Sequence, residues 1–358
     1  MRIAFFTPRS IEPLHPRLIL FREYFKAKNF EVDFINRTDY KAKASRINWL
    51  TLWFFDLSAV QKCKPFVQDY DMIFVNDLRY LPLSKHARKL NKVVIYDTID
   101  HNVFLRFYQL EQRIKLVSIF KFPITSLFKR LEKKYAQRYC DEVLVNSDSL
   151  FNYFNQQATT LYYSSPFENL ITKNDFTKPP AMLYLGVFSR EKGGIEIIEL
   201  QKRTNLPLFI FGDVSEPSLL DSIKNNKLIT YTPKIPIEDL KGQLEALLKK
   251  FFLAGFSLIQ PAHYSYEVQE ANKDIDYLAL GIPLIGNQRL PTKEKIDAGC
   301  GVFYNDPELV KKITDQTIRQ SLSTTSLQYY EKRYASKHFF QKLDSVLSGY
   351  LSKLRSSK

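Results

Sequence analysis

The chain has 358 residues, 45% apolar and 25% charged, which suits two ordinary domains and excludes a disordered or fibrous protein. Lysine and arginine outnumber aspartate and glutamate by 52 to 38, and the formal charge of +14 favours phosphate-bearing partners without choosing among them. No stretch of about eighteen apolar residues is present, and Cys63, Cys140 and Cys300 lie far apart without metal-ligand spacing, so a cytosolic protein with reduced thiols and no transmembrane helix is expected.

The first residues, "RIAFFT", read as a strand followed by a proline-containing loop, not as a signal peptide. "EVDFIN", "DMIFVN", "KVVIYD" and "DEVLVNS" follow as further short apolar strands, with helical stretches such as "HPRLILFREYFKAKN" and "SKHARKLN" between them. Strands alternating with helices predict a parallel sheet covered on both faces. Residues 165–180, "SPFENLITKNDFTKPP", are polar, proline-containing and aperiodic, and read as a linker. The alternation then restarts with "AMLYLGVF", "LPLFIFGD", "KLITYTPKI", "FSLIQP" and "GCGVFYND" as strands, separated by helices such as "GGIEIIELQKRT" and "IEDLKGQLEALLKKF". The tail from Thr324 is helical, aromatic and basic. The expected fold is therefore α/β, with two doubly wound Rossmann-like domains facing across a cleft: residues 1–170, residues 178–335, and a helical tail over 336–358 that crosses back to the first domain. In open sheets of this kind ligands bind beyond the carboxyl ends of the strands, so the loops there are searched for chemistry.

Two stretches stand out. In "YLGVFSREKGGIEIIEL" a strand runs into a basic loop with Arg190 and Lys192, and Gly193-Gly194 then open a helix. Glycines there let an anion approach the helix's free N–H groups, although an ordinary solvated turn explains such a loop as simply. "EANKDIDYLALGIPLIG" packs Glu270, Asn272, Lys273, Asp274 and Asp276 ahead of a buried-looking run. A carboxylate at Asp276 suits the vicinal hydroxyls of a ribose, and Asn272 and Lys273 lie one turn earlier, within reach of a phosphate or sugar. Helix capping accounts for Asn272 and Asp274 equally well. A third stretch, 121–139, "KFPITSLFKRLEKKYAQRY", carries Ile124, Leu127, Phe128 and Leu131 at helical spacing opposite Lys129, Arg130, Lys133 and Lys134. It reads either as a helix packed on its own sheet or as a contact with anionic lipid headgroups.

Taken together, "GVFSREKG" over Gly186–Gly193 and "DYLALGIPLI" resemble the GT-B glycosyltransferases, and within them the large retaining family of nucleotide-sugar enzymes (glycosyltransferase family 4 and relatives). "NDLRYLPLSKHARKLNKVVIYDTIDH", "LEKKYAQRYCDEVLVNS" and "AGCGVFYND" extend the resemblance over most of the chain. The chain departs from the family in three places. Val187 stands where the family carries an arginine, with Arg190 as the substitute. Val268 stands at the first acid of the family's pair, a role open to Glu267 or Glu270. The glycine-rich first loop is replaced by "TPRSIEPLHPR".

The resemblance implies transfer of a sugar from a nucleotide-sugar donor to an acceptor hydroxyl, with retention and without a metal or other cofactor. It implies donor contacts at Gly186, Arg190, Lys192, Gly193, Glu270, Asn272, Lys273, Asp276 and Tyr277. Asp100, His101 and Glu267 are the catalytic candidates, and His15, Arg17 and Asp77 the acceptor-side ones. Should the enzyme invert, Glu12, His15 or Asp100 would serve as base. The implied acceptor is a glycan or lipid-linked glycan of bacterial surface polysaccharide, capsule, O-antigen or glycoconjugate synthesis. The implied location is the cytoplasm, peripheral on the inner face of the membrane. A non-catalytic GT-B partner subunit and a UDP-sugar epimerase of the same fold are the alternatives. No nucleic-acid partner is expected, since no recognition motif for one is present.

Overall fold

The computed structural model describes residues 1–8, 14–36, 54–260 and 264–356. The chain divides into two compact units, Met1–Tyr162 together with Phe339–Lys358, and Tyr163–His338.

The first unit holds strands β1 (Arg2–Phe6), β2 (Glu31–Ile35), β3 (Met72–Asn76), β4 (Val93–Thr98), β5 (Glu142–Val145) and β6 (Thr159–Thr160). They form a wholly parallel sheet in the order β2-β1-β3-β4-β5-β6. Its helices are α1 (Pro16–Ala27), α2 (Leu57–Val67), α3 (Leu83–Lys89), α4 (Asn102–Arg113), α5 (Lys121–Tyr139) and α6 (Asp148–Tyr153). Successive strand residues point to opposite faces, and both faces are covered. Ile3 and Phe5 of β1 join one core with Phe21, Phe25 and Phe74, whereas Ala4 and Phe6 join the other with Tyr96, Phe107 and Phe128.

The second unit holds β7 (Pro180–Leu185), β8 (Leu208–Phe211), β9 (Ile229–Thr232), β10 (Phe252–Ser257), β11 (Leu284–Gly286) and β12 (Gly301–Phe303). Its order is β12-β11-β10-β7-β8-β9, again parallel, so the order in which strands are added reverses between β7 and β10. The helices are α7 (Gly194–Thr204), α8 (Pro217–Lys224), α9 (Ile237–Leu248), α10 (Tyr264–Val268), α11 (Asn272–Ala279), α12 (Leu290–Lys295), α13 (Leu309–Thr314) and α14 (Gln316–Arg333). The last helix, α15 (Ser336–Ser356), lays Phe339, Leu343, Leu347 and Leu351 onto the core of the first unit beside Ile3, Phe5 and Phe21.

Several expectations need correction. The strand expected at "FSLIQP" begins four residues earlier, at Phe252. Gly255 hides it from a propensity reading, yet a glycine is required there, since a Cβ would lie 2.6 Å from the Tyr277 ring. The tail is helical as expected, its last helix running over Ser336–Ser356 after a break at Tyr334-Ala335. The segment read as a linker packs within the second unit. There the Asn174 side chain donates to the carbonyls of Leu253 and Gly281 and accepts from the Leu253 amide. In the stretch 121–139, Phe128 stacks on Phe54 at 3.8 Å, and Ile124 and Leu131 pack against the same core. Of the four apolar residues at helical spacing in this stretch, only Leu127 is exposed.

Candidate functional site

The carboxyl ends of β7 and β10, where the second sheet reverses, are the expected ligand position in a doubly wound sheet. Lys192 ends the short helical turn Arg190–Lys192, and Gly193 then takes φ 77°, a left-handed conformation. A Cβ on Gly193 would sit 2.4 Å from the Cβ of Leu258, just past β10, so only glycine allows this approach. Gly194 starts α7, whose first amides have no side-chain cap. Gly186, at φ 107°, lies at the end of β7, exposed and with open space above it. Lys192 is half-buried, and burial is the main cause of its lowered pKa. Arg190 is exposed and turns elsewhere, with its guanidinium 3.5 Å from Ser218 Oγ.

The second cation comes from α11. This helix has Ala271 at its N-cap and no side-chain cap, so capping does not explain the polar residues of "EANKDID". Lys273 places its ammonium 4.1 Å from the centroid of the Tyr184 ring. The Nζ is shielded from water and has no hydrogen-bond partner among the described residues. Burial, above all, lowers its pKa to about 7; Asp274 pulls upward, and the charges of Lys192 and Arg289 press it further down. Asn272 is half-buried beside it.

Two neighbouring acids are engaged in holding the loop. Asp274 accepts from Thr292 Oγ1 (3.0 Å) and Arg289 (3.4 Å), and Arg289 also donates to the Gln269 carbonyl. Glu270 forms a buried ion pair with Lys295, and that pairing corrects its reading as a donor ligand. Tyr277 is likewise corrected. It is fully buried, accepts from the Leu185 amide at 2.9 Å and supports the sheet from below. Glu267 is exposed on α10, next to the buried Val268 that occupies the family's acid position. Asp276 is half-buried, and its Oδ1 accepts from Ser165 Oγ (2.8 Å) and Tyr163 Oη (3.1 Å). Burial raises this carboxyl to about 7, against those two hydrogen bonds. Its Oδ2 accepts no hydrogen bond among the described residues.

In the first unit the acceptor-side candidates separate. Arg17 is a structural residue, 2% exposed: it chelates Asp97 (Nη2–Oδ1 2.6 Å, Nε–Oδ1 3.0 Å) and donates to the Leu161 carbonyl. His15 caps α1, accepting from the Arg17 amide at 3.3 Å. Asp77 is held at φ 79°, costly for a residue with a Cβ, and its carboxylate meets Arg79 (3.4 Å) and Arg106 (3.6 Å). With Asn76, Asp97 and Asn102, His15 and Asp77 line a small polar recess where the first sheet reverses. His101, 2% exposed, pairs its Nε2 with Ser149 Oγ at 2.8 Å. Burial, and then the charge of Lys129, lower its pKa to about 4, so it is an uncharged imidazole at neutral pH. Asp100 is half-buried just before it, and Glu12 lies outside the described residues.

Sequence reasoning missed Tyr184 and Arg289. Arg289 follows β11, and the rule that led to the loop after β7 would have found it. Tyr184 reads as an ordinary strand aromatic, since nothing local shows that a lysine lies on its face.

No protein-family model matches the sequence, and neither does any curated protein. Solved structures do match. Anabaena HepE in complex with UDP is 13% identical, with a TM-score of 0.57 over 98% of this chain and 100% of that one. An α-glucosyltransferase in complex with UDP and DNA is 15% identical (TM-score 0.58, 97% and 100% covered). The UDP-forming α,α-trehalose-phosphate synthase of Burkholderia xenovorans, in complex with glucose-6-phosphate, is 10% identical (TM-score 0.63, 99% and 100% covered). At such identities the likeness is one of fold, and with its two six-stranded parallel sheets this chain has the GT-B fold of those glycosyltransferases.

Proposed function

We propose that this chain is a glycosyltransferase that moves a sugar from a nucleotide-sugar donor to an acceptor hydroxyl. In this reading the donor diphosphate lies between Lys192, Lys273 and the first turn of α7. The observation that carries it is the Lys273 ammonium, which is out of water and without a hydrogen-bond partner among the described residues. A buried charge in that state is costly, and an anionic oxygen would satisfy it. Lys192 and Arg289 add positive potential, and Gly193-Gly194 keep the amides of α7 approachable.

As the bond from sugar to phosphate breaks, charge grows on the leaving diphosphate. Fixed cations in a dry site stabilise that charge without reorganising. The same cations support the proposal that no metal is needed. The open Oδ2 of Asp276 supports a ribose contact. Because His101 is neutral at pH 7, its proposed part is a hydrogen bond to a sugar hydroxyl and not the gift of a proton from an imidazolium. UDP in the fold neighbours makes a UDP-sugar the first donor to try. Retention, a glycan or lipid-linked acceptor in bacterial surface-glycan synthesis, and a cytoplasmic, membrane-peripheral location belong to the same proposal.

The test is a thermal-shift and calorimetry panel of UDP, GDP, CDP, dTDP and their sugars on the parent, Lys192→Ala and Lys273→Met. One nucleotide should raise the melting temperature of the parent and bind at least tenfold more weakly to each variant. Silence across the panel, or unchanged affinity in Lys273→Met, would sink the donor site. Slow release of free sugar from a bound donor then separates a transferase from a non-catalytic partner subunit.

A further inference from the structure

Between α4 and α5 the chain turns through a short 3-10 helix, Lys115–Phe120. The segment is anchored by Val117, 8% exposed, and by Phe128 on its stack with Phe54. Its other large side chains face water: Leu116 is 70% exposed, Ile119 71% and Phe122 82%, with Ile114, Phe120 and Leu127 between 43% and 54%. Leu116 and Ile119 stand three residues apart on a 3-10 turn and so share a face. Soluble surfaces scatter such residues singly, and six within fourteen positions call for a partner.

The charge around them says which kind. From Arg113 to Leu131 there are five basic residues (Arg113, Lys115, Lys121, Lys129 and Arg130) and no acid. Lys115, Lys121 and Arg130 are exposed and form no ion pair among the described residues. Large apolar side chains interleaved along the chain with exposed Lys115 and Lys121 fit an anionic lipid surface, with the rings and aliphatic chains at the acyl boundary and the lysines among the headgroups. Among the described residues no helix is long and apolar enough to cross a membrane, so contact here would be interfacial.

We infer that residues 114–127 dock the first unit onto an anionic lipid bilayer, with Leu116, Ile119 and Phe122 inserted and Lys115 and Lys121 on the headgroups. This surface is not the basic helix face expected from sequence, whose apolar side is core. The inference does not rest on donor binding, and a chain that failed every nucleotide test would still dock.

The test is co-sedimentation of the full chain with vesicles of phosphatidylcholine mixed with phosphatidylglycerol, against phosphatidylcholine alone. Binding is expected to the mixed vesicles only. It should fall about tenfold for each side chain changed among Leu116→Ser, Ile119→Ser and Phe122→Ser. Lys115→Glu and Lys121→Glu should each cost about fivefold and flatten the salt dependence. These positions are exposed, so the variants should melt with the parent, and the melt is checked alongside. A parent left in the supernatant overturns the proposal, as does a triple serine variant that binds as well as the parent. Self-association of the parent that the triple variant abolishes would overturn it too, since the occupant would then be a second copy.

Discussion

Each unit buries a cation near the point where its sheet reverses, and the two cations are treated in opposite ways. Arg17 has all three of its nitrogens engaged, with Asp97 on two and the Leu161 carbonyl on the third. Lys273 has an aromatic face and no hydrogen bond among the described residues. Both looked like ligand-binding residues in the sequence. A buried charge that is fully paired has completed its chemistry within the fold; one left open holds unspent attraction for something that arrives later.

The contrast can be broken most sharply at Arg17. Arg17→Met strands Asp97 without its partner and should cost about 3–5 kcal/mol of stability, read as a lowered denaturant midpoint. Arg17→Lys should rescue little, because a single ammonium cannot reproduce the fork. Lys273→Met should do the reverse. Nucleotide affinity is expected to drop about 10- to 150-fold, the worth of a charged hydrogen bond, with the ligand-free melting temperature unchanged or higher. A large loss of stability in Lys273→Met would erase the distinction.

Gly193→Ala should cost about 1–3 kcal/mol, through the left-handed backbone and the contact with Leu258, and should weaken binding with it. Tyr277→Phe should cost about 1–3 kcal/mol, because it strands the buried Leu185 amide and removes the longer bond to the Leu183 carbonyl, and should leave nucleotide affinity alone. The last effect is in pH. Lys273 has a pKa of about 7 in the folded chain against the ordinary lysine value of 10.5, so between those limits the unfolded chain holds more protons. Ligand-free stability should therefore gain from this group as pH rises from 7 toward 10, and its penalty is fully present below 7. Lys273→Met should remove that slope, and a bound nucleotide should reduce it.

What the sequence disclosed follows the range of the interactions involved. The strands β1 to β5 are short runs of β-branched and aromatic residues, legible from their neighbours alone. So were the basic loop ending at Gly193 and the polar crowd before α11, because loops after strands were searched. The state of each residue in those loops was not legible. Arg17 meets an aspartate 80 positions away, and Glu270 meets a lysine 25 away. Tyr277 lies under Gly255, the residue that also concealed the start of β10. Local patterns show that charges gather; only the folded chain shows which of them are already taken.

The last helix has a consequence for how the protein is made. Phe339, Leu343, Leu347 and Leu351 close the core that begins with Ile3 and Phe5, so the first unit is completed by residues made after the whole of the second unit. Domains usually fold in the order of synthesis. Here the second unit, continuous in sequence, can close while the first still waits with part of its apolar sheet uncovered. A stop codon ahead of α15 would leave the second unit whole and still leave that sheet open, turning a loss after one unit into an aggregation defect in the other.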